Sequence, residues 1–532
     1  MGEAKPGMSR GFFAASLLII IIMAGVLGYY GGTLTVSQKT ITVTTTVPVE
    51  SEKLIIGVTG KISDLDPSNA YDSYAWEVLA NTMTGLMRYV PGTTELEYGM
   101  ARSHVIEEDG KVYIFKLRQG LRFSDGRPAD AYDVERSIKR AMKINGDPGW
   151  LLVDFVESVE ALDAETVKFT LLKPVAYFLS LTATTPYFVV HPDYNPDAVD
   201  SDQTAGGLGP YRIAVWRGDV ELVLETNPYY YGGAPKTRTI IVKFFATASA
   251  MRLAIEAGEI DLAWGTLSPK DIADLSGKSG LMAHEFPSVS VSYIMFNMGI
   301  PPFDNKLVRQ ALAAAVDRKA MAENVFMGTV KPLYSMIPLG MWSHTDDFLK
   351  KYGEKNVDLA KQLLTKAGYS ETNKLKIELW HILASSTGDE VALIIKDSWE
   401  ATGMVAVELR SAEATTYFEQ IREKAFGASL HGWYADYIDP DDYTRAWVNQ
   451  SWTGYAYVNP RLSEILEKAC VLQTVEERAV MYTQAQEIWS EDAVIVPLLQ
   501  GSITVVAKED VQGIIIDPTI VLNYWLLFRT PD

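Results

Sequence analysis

The sequence predicts an α/β protein of two or three lobes, and three observations carry that expectation. Strand-like runs, either continuously apolar or alternating, take turns with helical runs along most of the chain. At 532 residues with a 48% hydrophobic share, the chain exceeds one ordinary domain and can bury several cores. The last strand runs, Val494 to Leu499 and Ile503 to Val506, lie far from the first, so both chain ends are expected to complete one lobe.

The elements follow in order. Residues 1–11 are polar, with Lys5 and Arg10, and residues 12–30 are almost wholly apolar, long enough to cross a bilayer with the body exported. Residues 31–51 are Thr-rich and read as an extended stalk. Lys53 to Val58 is a buried-strand run, Leu65-Asp-Pro67 a turn, and Trp76 to Leu86 an amphipathic helix. Val112 to Arg118 alternates like a half-buried strand after the turn at Asp109-Gly110. Asp130 is placed to cap a helix running through Met142, with Asp133 adding negative charge to its first turn. Gly206 to Tyr211 is a breaker-rich connector, followed by strands at Glu221 to Glu225 and Ile240 to Phe245 and a helix at Met251 to Ala257. A strand at Val291 to Asn297, helices from Leu307 and from Asp358, and a helix opened by Thr474 complete the pattern.

Forty-eight basic against 67 acidic residues give a net charge of -19, which argues against a nucleic-acid partner. The single cysteine, Cys470, sits on the apolar face of a helical run and reads as a buried thiol. No phosphate-binding glycine loop, His-Glu-x-x-His or Gly-x-Ser-x-Gly occurs, and the six histidines are scattered. Asp436 with Asp439 as a glycosidase pair is the least favoured reading. Neither a metal nor a cofactor is expected.

The richest stretch is Leu430 to Asp442, which contains Trp433-x-x-Asp436-x-x-Asp439-Pro440 after a short apolar run. This is where a strand leaves a sheet for a loop. Trp433, Tyr434 and Tyr437 offer flat apolar surface, and Asp436 sets a negative charge among them, suited to a ligand's ammonium group. The structural alternative makes the tryptophan core and the aspartates backbone caps. Local sequence leaves both open.

Taken together, the motifs resemble the family 5 extracellular solute-binding proteins of ABC transporters, the oligopeptide, dipeptide and nickel-binding group. The resemblance runs from Glu52 to the C-terminus. It rests on Leu65-Asp-Pro67, Phe123-Ser-Asp-Gly126, Gly209-Pro-Tyr211, Asn227 to Gly232, Ala257 to Asp261, Val308 to Leu312, Ala367-Gly-Tyr369 and the Trp433 motif, in that order. It implies a two-lobed periplasmic-binding-protein-like clamp of class II type with an extra subdomain in lobe one. Lobe one would take residues 52–92, 206–290 and 500–532, the subdomain 93–205, and lobe two 291–499. The aspartate matching Asp436 would receive a peptide's N-terminal ammonium, and Gly432 to Tyr434 would line the cleft beside the peptide backbone. Arg422, shortly before the motif, is a weaker candidate for a peptide carboxylate.

The implied role is a monomeric receptor passing oligopeptides or dipeptides to ABC permease subunits with their ATPases. Oligosaccharide capture is the nearest alternative, given 12 tryptophans and 27 tyrosines; a membrane-anchored hydrolase and a surface-layer or adhesion protein are more remote. No cysteine stands at the end of the apolar run, so residues 12–30 rather than a lipid must anchor or export the body. Arg10-Gly11 resembles the cleavage site of pilin-like signal peptides in some archaeal binding proteins, and Asn449-Gln-Ser451 is a glycosylation sequon.

Overall fold

Two long strands, Leu281–Phe296 and Ile495–Lys508, run antiparallel through the middle of an 11-stranded sheet and organise the fold. The computed structural model describes residues 51–530 apart from 63, 202, 384–386, 446–447 and 449–456. The expected membrane segment, the stalk up to Glu50 and the Asn449 sequon therefore lie outside the described residues. Among the described residues no helix is long and apolar enough to cross a membrane.

The two strands pair from Leu281↔Lys508 to Pro287↔Ser502, break, and resume at Val291↔Gln500. In the break, Ser288 to Ser290 face only Gly501. The Gln500 side-chain amide donates to Ser288 O at 2.9 Å, and a Cβ on Gly501 would lie 2.6 Å from Ser290 Oγ, so a small residue is needed there. The pairing is irregular here and again between Ser292 and Tyr293, where Leu498 is skipped, so the ladder is interrupted over a short stretch near the middle of the two strands.

On the near side of the break the sheet continues through Leu262–Trp264, Ser51–Val58, Thr237–Phe244, Glu221–Thr226 and Tyr211–Trp216. Its core holds Leu54, Ile56, Leu224, Ile240, Val242 and Tyr524. On the far side it continues through Ala428–Trp433, Leu375–Ile382 and Val405–Ala412. Helices carrying Val308, Leu312, Ile395 and Trp399 cover that half. Leu375, Ile377 and Leu379 point into the core while Lys376 and Glu378 are exposed, as period-two patterning requires. The expected strand at Val291 to Asn297 is thus the far half of a longer one. The expected strand pair near the C-terminus is one strand spanning the break.

A separate four-stranded antiparallel sheet orders Ala101–Glu107, Val112–Leu117, Thr166–Leu171 and Val156–Asp163. It buries Phe115, Phe169 and Tyr187 against Val134 and Ile138 of the helix Ala131–Ile144. Asp130 caps that helix by accepting from the Tyr132 and Asp133 amides, and Asp133 closes the reciprocal box, an arrangement worth about 0.5–2 kcal/mol. The helix expected from Trp76 to Leu86 runs instead from Ser73 to Thr82, capped by Asp72. It stops before Gly85, whose close approach to Thr182 O leaves no room for a Cβ.

Candidate functional site

Ala428–Trp433 pairs along one edge with the far half of Leu281–Phe296, placing Trp433 opposite Val291 just past the break. Its other edge pairs with Leu375–Ile382 only at Ser429, so residues 431–433 carry a free strand edge among the described residues. That edge forms one wall of a cavity of about 490 Å³. Gly432, Trp433, Tyr434 and Leu499 line the far half, Tyr74, Glu77 and Trp264 the near half, and Ser290 and Gly501 the floor at the break.

The loop after Trp433 holds four aspartates in seven residues. Asp439 is buried and takes a two-pronged pair from Arg478, at 2.6 and 2.9 Å. Asp441 is fully buried and accepts from Arg445 at 2.7 Å, Tyr437 at 3.1 Å and Tyr482 at 3.2 Å. Burial would raise the Asp441 carboxyl, but Arg445 and Arg478 hold it below the usual carboxylate range.

Asp436 and Asp442 have no such partner among the described residues. Asp436 is half-buried and accepts only the Tyr71 hydroxyl, at 2.7 Å. Loss of water pushes its carboxyl up to about 7, against the opposing Tyr71 bond. Asp442 is buried and accepts the Trp433 indole N–H at 2.9 Å on Oδ2, while Oδ1 has no hydrogen-bond partner among the described residues. Burial first, then the Asp436 charge, raises its carboxyl well above normal. Such a pair favours a cation supplied from outside.

Of the sequence-predicted residues, the structure brings Gly432, Trp433 and Tyr434 to this cavity, while Asp436, on the loop that follows, lines a separate, smaller cavity together with Trp76, Arg88 and Tyr89. Gly432 and the Tyr434 ring are exposed to the larger cavity. Trp433 is mostly buried and serves the wall by holding Asp442. Two placements correct the expectation. Tyr437 is fully buried, its ring stacked on Tyr177 at 5.2 Å and its hydroxyl on Asp441, so it offers a ligand no surface. Arg422 is exposed at the end of the helix Ala414–Arg422, before the strand begins, whereas the motif leaves from the strand's other end; it does not line the cavity.

Tyr71, Glu77, Trp264 and Asp442 were not singled out by sequence reasoning. Glu77 is buried and accepts the Trp264 indole and the Leu522 amide, both at 3.0 Å, and the Tyr524 hydroxyl. Burial pushes it up to about 7 despite these donors. Only Asp442 left a signal: the stretch holds more carboxylates than nearby cations can pair. Cys470 is buried with the Tyr177 hydroxyl 3.4 Å from Sγ, as expected of a structural thiol. Among the described residues no group of His, Cys, Asp and Glu is arranged to hold a metal.

Two half-sheets joined at a broken pair of strands, with a ligand-sized cavity at the break, define a solute-binding protein. The chain belongs to the bacterial extracellular solute-binding proteins, family 5 (middle), whose sequence model matches residues 95–455. It is a mixed α/β, two-lobed carrier rather than an enzyme. It is 26% identical to the probable D,D-dipeptide-binding periplasmic protein DdpA of Escherichia coli, over 89% of this chain and 93% of the relative. It is also 26% identical to the oligopeptide-binding protein OppA of Bacillus subtilis, over 86% and 88%. The solved structure of the periplasmic binding protein DppA from Helicobacter pylori, in complex with the peptide STSA, superposes with a TM-score of 0.79 at 25% identity. That match covers 91% of this chain and 99% of the other.

Proposed function

We propose that this protein captures peptides outside the cell and delivers them to the permease subunits and ATPases of an ABC importer, working as a monomer anchored through residues 12–30. The observation that carries the peptide reading is Asp436, a carboxylate kept from water with no cation of its own, beside a free strand edge. A peptide's ammonium would neutralise Asp436, and its backbone would add to the edge at residues 431–433 by β-augmentation. The two curated relatives described above are named for binding peptides, which supports the same reading. The lobes would divide at the strand break, with residues 52–92, 206–290 and 500–532 against 291–499. Residues 93–205, which contain the four-stranded sheet, would be an added subdomain of lobe one.

Calorimetry with a tripeptide and its N-acetylated form tests the reading. The expected outcome is binding of the first and loss of the second. Equal binding of both, or binding only of an oligosaccharide, would sink it.

A further inference from the structure

Two tyrosines from the first part of the chain reach across to the loop after Trp433. The Tyr71 hydroxyl donates to Asp436 Oδ2 at 2.7 Å, and the Tyr89 hydroxyl accepts from the Ile438 amide at 2.8 Å. Tyr71 is firmly placed. It directly precedes Asp72, the cap of the helix Ser73–Thr82, and its other neighbour, Ala70, is held by the Trp76 indole at 2.8 Å and by the Asp66 carbonyl at 2.7 Å. The Tyr71 ring packs against Trp76 at 5.7 Å. A phenol has one proton to give, and Asp436 receives it; a carboxylate has two accepting oxygens, so Oδ1 remains for a ligand.

The titratable groups that face Asp436 are Asp442 and Tyr443 on its own loop, and Arg88, Tyr89, Tyr230 and Asp517 around the smaller cavity. Arg88 is committed elsewhere, to Glu97 at 2.8 Å and to the Tyr230 hydroxyl at 2.7 Å. Asp442, the like charge beside Asp436, is answered by the Trp433 indole. Among the described residues Tyr71 is therefore the side-chain donor that favours negative charge on Asp436, the half-buried member of the pair, over Asp442, the buried one.

We propose that Tyr71 is a positioning residue for ligand capture: it fixes the Asp436 carboxylate in one orientation and keeps the pair's charge there, leaving Oδ1 for the ligand's ammonium. This deepens the peptide reading and rests on it. A hydrogen bond to the ionised form holds a carboxyl lower, and the Tyr71 bond opposes the burial that raises Asp436 to about 7. Tyr89 differs in kind. It accepts from the loop backbone and gives Asp436 no proton, so it steadies the loop without acting on the charge.

The test is calorimetry of the full chain with a tripeptide at pH 6 and pH 7.5, comparing the unmodified protein with Tyr71→Phe, which keeps the ring against Trp76, and with Tyr89→Phe. Without the Tyr71 donor the carboxyl takes a proton more readily, so Tyr71→Phe should weaken binding by about tenfold at pH 6 and by only about threefold at pH 7.5. Tyr89→Phe should weaken it by one factor at both. Tyr71→Phe that binds as the unmodified protein does, binds tighter, or weakens equally at both pH values overturns this inference and leaves the peptide reading standing. So does a Tyr89→Phe variant with the same pH dependence as Tyr71→Phe, since the effect would then be one of loop position alone. An N-acetylated tripeptide that binds the unmodified protein as tightly as the free one overturns both.

Discussion

Within one loop, Asp439 and Asp441 are tied to Arg478 and Arg445, while Asp436 and Asp442 are left without a cation among the described residues. The four share a chain segment, three of them buried and Asp436 half-buried, and they divide by their partners. The paired aspartates fasten the loop: Arg478 also lies over the rings of Trp342, at 5.1 Å, and Tyr177, at 5.5 Å, and Tyr177 in turn stacks on Tyr437. The unpaired aspartates are held in place by that fastening. Rigid charge without a partner is what a binding site requires, because electrostatic energy not spent within the protein remains for the ligand.

The largest effect is expected from breaking the fastened half. Arg478→Ala leaves Asp439 buried and uncompensated, and should lower unfolding stability by about 3–5 kcal/mol in urea titrations. Asp436→Asn should do the opposite kind of damage. It removes a partner from the bound ammonium and should cost about 2–5 kcal/mol of peptide affinity, with the unfolding midpoint unchanged or raised. A midpoint that falls as far in Asp436→Asn as in Arg478→Ala would erase the distinction between the halves.

The division was partly legible in the sequence. The capped helix after Asp130, the strand before Trp433 and the buried Cys470 followed from capping chemistry and periodicity, which are local. Asp436 stood out because aromatics surround it in sequence. Partners distant along the chain were not legible: Arg478 is 39 residues from Asp439, and Tyr71 is 365 residues from Asp436. For the same reason Tyr437 looked like ligand surface until the Tyr177 ring covered it, and Arg422 looked close only along the chain. The broken strand pair was hidden because each half alone has ordinary strand length.

The smaller expected effect is in pH, and its sign separates the halves. Asp441 is held low by its arginines, so its contribution to stability is present above the ordinary unfolded carboxylate pKa of about 4. It is lost as pH falls through the lower folded value. Asp436 is raised to about 7, so the native state holds a proton between about pH 4 and 7 that the unfolded chain has released. Its contribution is therefore full in acid and lost as pH rises through about 7. Ligand binding must run against that trend, because an ammonium pairs only with the ionised carboxylate. Between pH 5 and about 7.5, below the titration of a peptide amine near 8, affinity should rise with pH. Binding near pH 6.5 should also release a proton, visible as a heat that scales with the ionisation enthalpy of the buffer. Asp436→Asn should abolish the proton release while leaving the acid-side loss of stability from Asp441 in place. An affinity that stays flat across this range in the unmodified protein would mean that Asp436 is already ionised before the ligand arrives, and the contrast with Asp441 would then rest on position rather than on charge.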